Sequence, residues 1–113
     1  MSRDVLYLNS IKECIDRIEQ YTCDGQNAFL NTPIIQDAVI RNLSNIGEAT
    51  KQLSHELRQS YTDIPWKKIA GLRDVLIHDY LQVNLMRVWA VIEDLPELKA
   101  RIIDILHEVS QQS

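Results

Sequence analysis

Apolar residues recur at helical spacing almost throughout this chain, and nowhere with the strict alternation of a half-buried strand. Val5, Leu8, Ile11, Ile15 and Ile18 step by three or four positions, which predicts a first helix over residues 3–21. The stretch "TCDGQN" interrupts the pattern, with Asp24-Gly25 as a turn signal. Thr32-Pro33 then opens a second helix. Threonine is a competent cap, and proline at the first helical position loses no useful N–H. Ile35, Val39, Leu43, Ile46, Leu53 and Leu57, with Ala49 on the same face, carry this helix to residue 58, about seven turns. Asp63 and Pro65 mark a further start, after which Trp66, Ile69, Leu72 and Leu76 form an inward stripe. Asn84 is placed to cap a last apolar-periodic segment that begins with Leu85, Val88, Ala90, Val91 and Ile92. Pro96 either kinks that segment or opens a fifth helix, in which Leu98, Ile102, Ile105, Leu106 and Val109 share one side.

Four to five amphipathic helices joined by short loops make an all-α, up-and-down bundle the economical architecture: two long antiparallel helices plus shorter ones. A chain of 113 residues suggests one domain, 1–113, able to bury a core without a metal or disulfide staple. With only three glycines and three prolines, a turn-rich β fold is disfavoured. No apolar run approaches the roughly 20 residues that cross a bilayer, so no membrane association is expected. The opening "MSRDVLYLNS" does not resemble an export signal, so a cytoplasmic location with reduced Cys14 and Cys23 is expected. The formal net charge of −4 argues against non-specific adhesion to nucleic acid, without excluding a local basic site.

One stretch does not fit a plain core helix. "GLRDVLIHDY", Gly71 to Tyr80, mixes four aliphatic residues with an arginine, two aspartates, a histidine and a tyrosine. Ideal helical geometry puts Arg73 and Tyr80, seven positions apart, on one line at the edge of the apolar stripe. His78 falls about 140° away from Arg73, beside Lys67, Gly71 and Asp74. Asp74 and His78 are four apart, so the carboxylate can orient the imidazole and favour its protonated form. Arg73 and His78 therefore do not meet easily within one unbroken helix. Two copies of the helix facing each other bring them together, and Gly71 lets a second backbone approach closely. Plainer roles exist for each residue. Arg73 can pack its stem at a rim, His78 can be a cation near a helix C-terminus, and Tyr80 can be core with a wet hydroxyl. His55 and His107 are expected on solvated faces. Trp66 and Trp89 are expected to pack, and Lys67-Lys68 to be a solvated helix start. No phosphate loop, HExxH or CxxC is present.

"IPWKKIAGLRDVLIHDY" is similar to the signature of the HepT toxins, a branch of the HEPN superfamily. Their Arg-x4-His-x-Tyr motif is met by Arg73, His78 and Tyr80, preceded by Pro65-Trp66. "RNLSNIGEA" resembles the family's second-helix pattern, and "DLPELKARI" its C-terminal helix. The resemblance implies an α-helical bundle that forms a homodimer, with two Arg-His motifs lining one cleft. It implies metal-independent ribonuclease activity with no cofactor, and a cognate nucleotidyltransferase antitoxin of the MntA type that silences the toxin by transferring AMP to Tyr80. In that picture Arg73 and His78 are catalytic and Asp74 supports the imidazole. A competing reading makes the same bundle a non-catalytic nucleotide-binding module, or a docking partner of a nucleotidyltransferase. A third makes it a purely structural dimerisation bundle.

Overall fold

The computed structural model describes residues 2–72, 74, 76 and 84–111. It is all-helical over these residues, with six helices: α1 (Ser2–Tyr21), α2 (Gln26–Asn31), α3 (Pro33–Lys51), α4 (His55–Ser60), α5 (Trp66–Ala70) and α6 (Leu85–Gln111). Three are long and three are short, where the periodicity suggested two long ones. α1 packs along both α3 and α6. Lys99 of α6 reaches Asp16 and Glu19 near the end of α1, while Gln26, just past that end, meets Met86 at the start of α6. The two helices are therefore antiparallel. At 27 residues α6 runs about 40 Å, which sets the long dimension of a 46 × 27 × 20 Å molecule.

The apolar stripes read from the sequence are the core. Leu8, Ile11, Ile15 and Ile18 of α1 meet Val39, Leu43 and Ile46 of α3, and Ile92, Ile102 and Ile105 of α6, in one buried cluster. Cys14 is buried and Cys23 exposed, and both are free thiols. Burial pushes the Cys14 thiol above its ordinary value. After α1 the chain turns at Gly25, whose φ of 94° is a conformation that suits glycine. The short helix α2 follows, where no element was expected. Six residues are too few to show a period. What holds them is Phe29, fully buried with its ring 5.5 Å from that of Trp89, and Gln36, whose amide donates to the Phe29 and Leu30 carbonyls.

Proline stands at the start of α3 as expected, but the Thr32 side chain makes no capping bond. The larger correction concerns length. The helix ends at Lys51, not near residue 58, and α4 starts afresh. Ser54 causes the break. Its backbone is extended, at φ −65° and ψ 152°, and its Oγ accepts the Leu57 N–H at 3.1 Å. The carboxylate of Asp4, in the first turn of α1, accepts the Ser54 N–H at 2.7 Å and the Ser54 hydroxyl at 2.6 Å. The cap is thus held by a group distant in sequence. Leu53 and Leu57 remain buried across the break, so the apolar stripe survived where the helix did not.

The corner between α4 and α5 is tied to the end of α6. Tyr61 donates its hydroxyl to Glu108 at 2.6 Å, and Arg101 grips Asp63 through two bonds of 2.7 and 3.1 Å. The Trp66 indole N–H donates to the Tyr61 carbonyl at 2.9 Å. At its far end α5 closes on Gly71, and Leu72, Asp74 and Leu76 are helical beyond it. Asn84 caps α6 as expected, its side-chain oxygen accepting the N–H groups of Met86 and Arg87. Pro96 sits inside α6 on an exposed position and opens no new helix. The lost backbone bond is offset by burial of Ile92, Leu95, Ile102, Ile105 and Val109 on the inner face.

Candidate functional site

Trp66, Ile69 and Leu76 are buried and Leu72 is half-buried, so the inward arc expected for the motif segment is present. On the opposite side, Lys67 and Asp74 are exposed. That is the sector in which helical geometry sets His78. Three of the residues singled out from the sequence, Arg73, His78 and Tyr80, lie outside the described residues. Of the four, Asp74 is the one placed: helical, with its carboxylate in solvent.

Gly71 bears on the dimer expectation. Its φ is −82°, a value open to any residue. A Cβ there would meet the Lys67 carbonyl at 3.4 Å and the Lys68 carbonyl at 3.6 Å, ordinary van der Waals contacts. Nothing among the described residues of the same chain requires a glycine at this position.

A basic groove of about 720 Å³ lies at the entry to the motif segment, between α4, the 61–65 corner and the start of α5. His55, Arg58, Lys67 and Lys68 line it together with Gln59, Thr62 and the apolar wall of Ile64, Pro65 and Trp66. Among the described residues no carboxylate contributes to the lining. Asp63, the nearest acid along the corner, is turned to Arg101, whose guanidinium holds its carboxyl below the usual range. Sequence reading saw these residues singly. His55 is exposed as expected, and so are Lys67 and Lys68. It missed their convergence with Arg58, because the break at Ser54 that re-aims α4 depends on Asp4. Trp66 and Trp89 pack as expected, one buried and one against Phe29. His107 is exposed. Among the described residues no three His, Cys, Asp or Glu side chains gather as metal ligands, and no helix is long and apolar enough to cross a membrane.

An all-α bundle whose last short helix leads into an Arg-x4-His-x-Tyr run defines a class of protein, and comparison with known families specifies it. The model of the family described as Ribonuclease HepT-like matches residues 11–105, and the chain belongs to that family. A protein of Methanocaldococcus jannaschii, whose name joins gamma-glutamylcyclotransferase to a provisional RNase assignment, is 45% identical over 98% of this chain. This chain spans 51% of that protein's length. A provisionally named RNase of Caldanaerobacter subterraneus subsp. tengcongensis is 38% identical over 90% of this chain and 93% of its own length. The mRNA nuclease HepT of Shewanella oneidensis is 31% identical over 86% of this chain and 90% of its own. No solved structure matches the chain.

Proposed function

We propose that this chain is the ribonuclease toxin of a toxin–antitoxin pair, cutting RNA without a metal ion at a cleft shared by two copies. The observation that carries the reading is the family match over residues 11–105, which encloses Arg73, His78 and Tyr80 in their full spacing. The outward placement of Lys67 and Asp74 supports a His78 that faces away from the chain's own core. A Gly71 that no described residue of its own chain requires supports close approach by a second backbone.

RNA brings its own nucleophile. In the proposed reaction the 2′-oxygen attacks phosphorus and the bond from phosphorus to the 5′-oxygen breaks. One neutral His78 imidazole takes the 2′-hydroxyl proton, and the protonated His78 of the second copy gives a proton to the departing 5′-oxygen. The products are a 2′,3′-cyclic phosphate and a 5′-hydroxyl, and solvent exchange restores the two protonation states. Each proton transfer contributes about 10²–10⁴-fold. Arg73 offers a planar fork of donors to the phosphate oxygens, where negative charge grows in the transition state. Asp74, four residues before His78, orients the imidazole. AMP attached to Tyr80 by a nucleotidyltransferase antitoxin of the MntA type would set a phosphate beside Arg73, in competition with RNA for the same guanidinium. The toxin acts in the cytoplasm.

The experiment is RNA cleavage by the purified chain in EDTA. The expected result is cutting by wild type and none by Arg73→Ala or His78→Ala, with the helical content of both variants unchanged. Full activity in either variant removes that residue from the mechanism. The acidic net charge of −4 favours a second reading, a non-catalytic docking partner of a nucleotidyltransferase. Absence of cutting by wild type, together with AMP transfer to Tyr80, would select it.

A further inference from the structure

We infer that the groove between α4 and α5 is a separate binding site for the sugar–phosphate backbone of single-stranded RNA. It would hold the strand at a distance from the proposed cleavage residues. Naming RNA as the ligand rests on the ribonuclease reading; the groove itself rests on its side chains.

Four observations converge on it. His55 and Arg58 of α4 and Lys67 and Lys68 of α5 face one trough. Among the described residues no carboxylate lines it, although the chain as a whole has a net charge of −4. The acid of the adjoining corner, Asp63, is bonded through both of its oxygens to Nε and Nη2 of Arg101. None of the four groups has an ion pair among the described residues, whereas Lys12, Lys51, Lys99 and Arg101 all do. In addition, Arg58 Nε is shut off from solvent with no hydrogen-bond partner among the described residues, a costly state for a charged donor group.

The shape selects the ligand. Among the described residues the trough is open to solvent along its length, which suits a linear ligand. The Trp66 indole N–H is already committed to the Tyr61 carbonyl and reads no base. Cations on two walls, with Gln59 and Thr62 as neutral donors, suit a linear polyanion held by its phosphates. Lys67 and Lys68 lie a few residues before Arg73 in the sequence, so the groove borders the start of the motif segment. An acidic protein thereby gains a local grip on RNA without general stickiness toward nucleic acid.

The test is fluorescence anisotropy of a labelled single-stranded 2′-O-methyl oligoribonucleotide, which has no free 2′-hydroxyl and cannot be cut. Lys67→Ala/Lys68→Ala should weaken binding on the order of tenfold at about 150 mM salt. It should also lower the slope of log affinity against log salt by about 1.4, roughly 0.7 for each phosphate that the two lysines no longer neutralise. Arg58→Gln should weaken binding several-fold, and circular dichroism checks that it folds. Arg3→Ala/Arg17→Ala removes the same charge from exposed positions of α1 and should change neither quantity. Equal losses in the two double variants, wild-type affinity in the lysine variant, or no binding by wild type would each overturn the inference. Cleavage of unmodified RNA is followed in parallel. Cutting with groove-independent binding removes the groove and spares the ribonuclease; groove-dependent binding without cutting does the reverse.

Discussion

Replacing Asp4 by alanine should loosen the whole α3–α4 corner, and with it the wall of the groove that carries His55 and Arg58. Asp4 is only 3% exposed, so water cannot replace what its carboxylate does. The two oxygens accept the Ser54 N–H at 2.7 Å and the Ser54 hydroxyl at 2.6 Å. Hydrogen bonds to a charged group contribute about 1.5–3 kcal/mol each, and their loss leaves two buried donors unpaired. Removing a charge that is costly to bury offsets part of that. A net loss of about 2–4 kcal/mol results, or roughly 8–16 °C in Tm at about 4 °C per kcal/mol. Asp4→Asn should cost less, about 1–2 kcal/mol, because its oxygen still accepts the Ser54 N–H and its NH2 can donate to Ser54 Oγ. Ser54→Ala loses the hydroxyl bond and the cap on Leu57 but keeps the N–H bond to Asp4. The two alanine variants should therefore couple by about 1–2 kcal/mol in a double-mutant cycle. Urea unfolding followed by circular dichroism measures all of these. An Asp4→Ala loss below about 0.5 kcal/mol, or strict additivity with Ser54→Ala, would refute the claim that this carboxylate makes the break.

Two further outcomes follow. Tyr61 donates to Glu108, and that bond raises the phenol above its ordinary value near 10. Its contribution to stability is therefore present below that value and is lost as pH rises through the higher folded one. Tyr61→Phe should cost about 0.5–1 kcal/mol at neutral pH, with the gap to wild type closing only in strong alkali; a gap that stays constant throughout contradicts the assignment. Tyr80→Phe should keep RNA cutting but escape silencing when mixed with a cognate nucleotidyltransferase and ATP, and mass spectrometry should find AMP on wild type alone. Silencing of the Phe variant would move the modification elsewhere.

Much of the fold was legible because amphipathic stripes encode burial directly. Ile11, Ile15, Ile18, Leu43, Ile46, Ile102 and Ile105, all read as core, are all fully enclosed. Asn84 was legible as a cap because its partners lie two and three residues away. What escaped depends on distant groups. In "KQLSHELR" Ser54 is a competent cap, but the unbroken apolar stripe hides the helix end until Asp4 is brought against it. The helix at 26–31 rests on Phe29 meeting Trp89 and carries no period of its own. The motif was legible as a constellation of residue types at fixed spacing. The groove was not, because Arg58 and Lys67 become neighbours only after α4 is re-aimed. Burial of Trp66, Ile69 and Leu76 and exposure of Lys67 and Asp74 agree with the helical wheel, while Arg73, His78 and Tyr80 lie outside the described residues.

The most direct test of a cleft built by two copies is subunit poisoning, with RNA cleavage followed in EDTA. Wild-type chain is allowed to exchange with a ninefold excess of His78→Ala chain before substrate is added. If the two His78 imidazoles of a pair serve as base and acid, mixed pairs are inactive and activity per wild-type chain should fall to about one-tenth. Activity that stays at its starting level after exchange, with mixed pairs verified by mass, would mean that each chain cuts alone and would contradict the account.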